Sequence, residues 1–163
     1  MGRGGLDGRR LRRHPGRRHV VLLRRRSRPA RRRAGRMRLL LDTHAVLWWL
    51  GGSTRLGAVA RERIADGESF VAVSAVSLWE IEIKRSIGKL RAPADVLGGV
   101  RSGGFELLAL TPEHAVAAGR LPMLHRDPFD RAIVAQARLE GLTVVTGDRR
   151  VADYDVPVLP AEE

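Results

Sequence analysis

Asp42 closes the apolar run Leu39-Leu40-Leu41, Asp148 follows Val144-Val145-Thr146-Gly147, and Asp127 and Asp130 flank Pro128-Phe129 at the start of a helix-patterned stretch. Glu80 lies within another such stretch. In open α/β sheets ligands bind beyond the carboxyl ends of strands, so acids ending strands or opening helices there are candidate site residues. Carboxylates gathered in a poorly screened cleft repel one another unless a cation neutralises them. A hard divalent ion, Mg²⁺ or Mn²⁺, takes oxygen ligands and keeps several waters. It can orient a water and stabilise the charge that develops on a phosphodiester during hydrolysis.

The elements that must position these acids follow from periodicity. Met37–Leu41 reads as a strand buried on both faces, and Thr43–Leu50 as a short helix capped by Thr43 and stopped by Gly51-Gly52. Leu56, Val59, Ala60 and Ile64 mark a second helix, and Phe70–Val73 a second strand. The helix Ser74–Ile87 follows, with Val76, Trp79, Ile83 and Ile87 on its apolar face and Glu80 one position off it. Next come a weak helix over Asp95–Val100, a strand over Phe105–Leu110 and a helix from Thr111-Pro112 to Gly119. Asp127 is set to cap a helix running to Glu140, with Phe129, Ile133, Val134 and Ala137 on its stripe. Leu142–Thr146 is the next strand and Val156–Leu159 the last. The alternation predicts an α/β fold, a parallel sheet covered by helices on both faces.

Each acid also has a structural reading. Asp127 can serve only as an N-cap, Asp42 as a strand end and cap, Asp148 as a turn residue, and Glu80 as the i, i+4 partner of Lys84. Glu82 fits a solvated face, and the five histidines show no metal-ligand spacing. His44 suits either substrate contact or a local helix role, while Trp48 and Trp49 suit core or dimer packing better than base stacking.

Composition narrows the class. There is no cysteine, which excludes disulfides, thiol nucleophiles and cysteine-based zinc sites. No apolar run spans a bilayer, so a soluble, cytoplasmic protein is expected, with no membrane partner. The net charge of +12 is uneven: residues 1–36 hold fifteen arginines and one acid, leaving fifteen basic and seventeen acidic residues in 37–163. The 1–36 stretch reads as an Arg-rich disordered extension, either a basic RNA-binding tail or a mis-assigned start upstream of Met37. A transit peptide fits less well, given a single serine and the glycines and prolines that break an amphipathic helix. The domain is expected over 37–163.

LLLDTHAVLWWL from Leu39, VSAVSLWEIEIKRSIGKL from Val73 and HRDPFDRAIVAQARLEGLTVVTGD from His125, in this order and spacing, resemble the PIN-domain nucleases, most closely the VapC-like toxins of bacterial toxin–antitoxin pairs. The similarity covers Met37–Leu159. It implies a PIN-like three-layer fold with a five-stranded parallel sheet flanked by helices, a homodimer, and one or two Mg²⁺ or Mn²⁺ ions. It also implies cleavage of structured RNA such as tRNA or rRNA, and a cognate antitoxin protein that fills the acidic cleft. The family's catalytic, metal-holding acids match Asp42, Glu80, Asp130 and Asp148, with Asp127 and Thr146 as assisting positions. Residues 1–36 depart from the family pattern.

Two other functions compete. An aspartyl phosphotransferase of the haloacid-dehalogenase type would need a second Asp two residues after Asp42, where His44 stands. A catalytically silent RNA-binding module would use the basic tail, with the acids as caps and surface groups; metal-dependent cleavage distinguishes it from the nuclease.

Overall fold

The computed structural model describes residues 36–162, which lie in the compact unit spanning Arg32–Glu163. The expectations for residues 1–35 fall outside the described residues. Among the described residues the strands are β1 (Arg38–Leu41), β2 (Phe70–Ser74), β3 (Glu106–Leu108), β4 (Thr143–Thr146) and β5 (Val158–Pro160). The helices are α1 (Thr43–Leu50), α2 (Ala58–Ala65), α3 (Ala75–Ser86), α4 (Val96–Ser102), α5 (Pro112–Arg120) and α6 (Pro128–Glu140). A short 3₁₀ turn covers Arg149–Asp153.

The strands form one sheet in the order β3-β2-β1-β4-β5, with every pair parallel. Leu39, Leu40 and Leu41 of the central β1 are all fully buried, as a strand covered on both faces requires. Their side chains alternate between two cores. Leu39 and Leu41 join Val71, Val73 and Val145 beneath α1, α2 and α4, while Leu40 joins Ala72 and Val144 beneath α6. Helix α3 contributes Ile81 to the first core and Val76 to the second. This is the three-layer α/β architecture expected. Because strand order reverses beside β1, the crevice at the carboxyl ends of β1 and β4 is the topological switch point, where such sheets bind ligands.

Two local readings need correction. Helix α1 is capped by Asp42, not Thr43: the Asp42 carboxylate accepts from the Ala45 N–H at 2.7 Å, which frees the Thr43 hydroxyl for a tertiary partner. Helix α3 does not bury the stripe through Trp79 and Ile87, which are each 57 % exposed. It buries Val76, Ser77, Glu80 and Ile81, because Glu80 finds partners inside the fold that repay its desolvation. The later strands are shorter than expected, β3 covering Glu106–Leu108 and β5 beginning at Val158.

Candidate active site

Four elements deliver acids to a cleft of about 870 Å³ at the switch point, lined by Asp42, Glu80, Asp127, Asp130 and Asp148 among others. Asp42 leaves β1 and caps α1. Glu80 comes from the second turn of α3, Asp127 caps α6, Asp130 sits in its first turn, and Asp148 ends β4 and caps the 3₁₀ turn. The capping roles are real, and the same backbone geometry aims the acids at the cleft.

Hydrogen bonds fix the carboxylates of Asp42, Glu80, Asp127 and Asp148. Glu80 is buried and accepts from the Thr43 hydroxyl and the Lys84 ammonium. Thr146 is shared: its oxygen accepts from the Asp148 N–H at 3.0 Å, and its hydroxyl bonds to Asp42. Asp148 is held by Arg150, with Nη2 at 2.8 Å from Oδ2 and Nε at 3.2 Å from Oδ1. His125 is the residue sequence reasoning missed. Its Nε2 lies 2.9 Å from Asp148 and 3.2 Å from Asp130. The signal was its place two residues before Asp127 in HRDPFDR; a search for histidine pairs at metal-ligand spacing passes over it. His44 is exposed at the cleft wall, and Trp48 is buried with the Arg55 guanidinium 4.5 Å above its ring. Trp49 packs on Phe105, and Glu82 pairs with Arg85 on the surface.

The electrostatics follow from the crowding. Burial pushes the Asp42 carboxyl above the ordinary carboxylate range, against the pull of the Ala45 N–H and Thr146 hydrogen bonds, and the Glu80 charge adds to the rise. Asp130 is pushed up to about 7, first by burial and then by repulsion from Asp127, Glu80 and Asp42, with His125 opposing. Asp148 goes the other way: its hydrogen bond with the Arg150 side chain holds it well below the usual range. Lys84 is raised by its hydrogen bond to Glu80.

Raised carboxyls in a shared cleft are what a bound divalent cation would relieve, and the oxygen-rich donors suit a hard ion. Among the described residues, His125, Asp130 and Asp148 form the one group of three potential ligands whose atoms lie within 4.8 Å of one another. Asp42 and Glu80 line the same cleft outside that group.

The PIN domain family model matches residues 39–157. The chain is 30 % identical over 122 residues to Ribonuclease VapC22 of Mycobacterium tuberculosis, a match covering 73 % of this chain and 93 % of that protein. It is similar in fold to the VapBC2 structure from Rickettsia felis bound to promoter DNA, with a TM-score of 0.57, 15 % identity, and coverage of 76 % and 98 % of the two chains. It is likewise similar to the DNA-bound VapBC of Salmonella typhimurium, with a TM-score of 0.55, 20 % identity, and coverage of 76 % and 97 %. With its fold, its acidic cleft and these matches in agreement, the chain belongs to the PIN domain family.

Proposed function

We propose that this chain is a metal-dependent endoribonuclease, a VapC-like toxin that cuts structured RNA such as tRNA or rRNA and is neutralised by a cognate antitoxin protein. The observation that carries this reading is the meeting of Asp42, Glu80, Asp130 and Asp148, from four separate elements, in one cleft at the switch point of the sheet. The ribonuclease name of the relative from M. tuberculosis supports it. Mg²⁺ or Mn²⁺ held by these four acids, directly or through water, would lower the pKa of a water and stabilise charge on the scissile phosphate.

The chain's own groups prepare the site. Thr43 and Lys84 orient Glu80, and Thr146 ties the Asp42 carboxylate to the backbone of Asp148. Asp127 assists through its charge, which raises the proton affinity of Asp130. Arg55, Arg126 and Arg149 line the same cleft and suit the phosphates of an RNA strand. A homodimer and an antitoxin have exposed apolar side chains to cover, Trp79, Ile87, Val116 and Leu139 among them. Among the described residues no helix is long and apolar enough to cross a membrane, and the expected place of action is the cytoplasm.

The test is cleavage of tRNA and rRNA by the full chain, with Mg²⁺, Mn²⁺ or EDTA, wild type beside Asp42→Asn. Discrete fragments that need both the cation and Asp42 are expected. RNA binding without cleavage, by a protein shown to be folded, would overturn the proposal in favour of a silent binding module.

A further inference from the structure

His125 is buried in a segment held on all sides. The Arg131 guanidinium, itself buried, donates to the carbonyls of Ala118, Leu121 and Pro122 at 2.8 to 2.9 Å and reaches that of His125 at 3.4 Å. The Tyr154 hydroxyl accepts from the His125 N–H at 2.8 Å and donates to the Pro122 carbonyl at 3.1 Å. These bonds fix the backbone of the segment that carries the imidazole.

Its ring nitrogens have distinct tasks. Nδ1 lies 3.0 Å from the Asp127 N–H, a backbone donor that carries a fixed proton, so Nδ1 accepts. An accepting Nδ1 places the ring proton on Nε2. That Nε2–H is hydrogen-bonded to Oδ2 of Asp148 at 2.9 Å, and Oδ2 of Asp130 lies 3.2 Å from the same nitrogen. With Nδ1 engaged and Nε2 protonated, neither nitrogen has a lone pair to offer a cation.

We infer that His125 is a positioning residue and not a metal ligand: its Nε2–H holds the Asp148 carboxylate after β4 by a hydrogen bond and sets it beside that of Asp130 on α6, and the Asp127 backbone fixes the tautomer that lets it do so. The inference rests on the proposal that these acids hold a divalent cation. It assigns the imidazole of the three-residue group to the support of its two carboxylates. Support of this kind is worth about 10- to 100-fold in metal affinity.

The test is Mn²⁺ binding by the full chain, followed by electron paramagnetic resonance, for wild type, His125→Ala and His125→Gln, with circular dichroism to verify folding. Wild type is expected to bind Mn²⁺ without a nitrogen hyperfine coupling from a directly bound imidazole. His125→Ala is expected to bind about 10- to 100-fold more weakly. His125→Gln, whose amide N–H can still donate to the carboxylates, should recover most of the loss. A nitrogen coupling in wild type that disappears in His125→Gln would overturn the inference while leaving the metal site standing, and so would unchanged affinity in a folded His125→Ala. If His125→Ala does not fold, the wild-type spectrum and His125→Gln decide. No Mn²⁺ binding by wild type would overturn the metal site and this inference together.

Discussion

Lys84 reaches back one helical turn along α3 and sets its ammonium on Glu80, the acid most deeply enclosed by the cleft. On an exposed helix such an i, i+4 pair contributes a few tenths of a kcal/mol. Here Glu80 is 4 % exposed, and Lys84 also feels the charges of Asp127 and Asp130, so one lysine partly neutralises the whole acidic group.

Lys84→Met should therefore destabilise the metal-free protein at neutral pH and make its stability more dependent on added Mg²⁺. Thermal melting with EDTA and with Mg²⁺ reads this out; an equal shift under both conditions would show that Lys84 acts only through local packing.

Asp42→Asn should lower cleavage at least about 100-fold, the scale of losing one group that stabilises transition-state charge. The fold should survive, because Asn caps helices as well as Asp and can keep the bond to the Ala45 N–H. Asp42→Ala loses that cap as well and should cost about 1 kcal/mol in urea unfolding.

Asp130 makes the metal-free protein sensitive to pH. Its carboxyl keeps a proton up to about pH 7 in the folded chain, against about 4 when unfolded. The folded state binds the extra proton, so this contribution is complete below about pH 4 and lost as pH rises through about 7. In EDTA, Asp130→Asn should gain stability relative to wild type between pH 5 and 8, as measured by melting temperature.

Arg150→Ala should raise the proton affinity of Asp148, since the Arg150 hydrogen bond is the largest cause of its depression. The exposed guanidinium also competes with any cation for both Asp148 oxygens. Calorimetric titration should show tighter Mn²⁺ binding in the variant; weaker binding would mean that Arg150 orders Asp148 for the cation.

Arg131→Met should destabilise by about 3 kcal/mol, because it leaves the buried Leu121 carbonyl and the half-buried carbonyls of Ala118 and Pro122 without their charged donor. Denaturant unfolding measures the loss. The variant should also weaken Mn²⁺ binding, since the same segment carries His125.

The alternation of buried strands and amphipathic helices was legible in the sequence because Leu39–Leu41 and Val144–Val145 are apolar on both faces, and because Pro128, Asp127 and Gly141 punctuate α6. Gly141 takes φ 64°, the left-handed geometry that ends a helix on glycine. The positions of Asp42, Asp127, Asp130 and Asp148 were legible for the same reason: strand ends and helix starts are local features. The buried face of α3 was not. Periodicity favours Trp79 and Ile87 for the interior, whereas the fold encloses Glu80, since only tertiary contact brings the Thr43 hydroxyl across 37 residues to satisfy it. The role of His125 was not legible either, for a related cause: it depends on which ring nitrogen meets Asp127 and which faces Asp130 and Asp148. Sequence by itself determined the elements and which acids stand at their ends, through short-range pattern and capping. Tertiary structure alone decided which polar groups share the cleft and which atom of each faces another, because hydrogen bonding between distant segments is fixed only when the sheet brings them together.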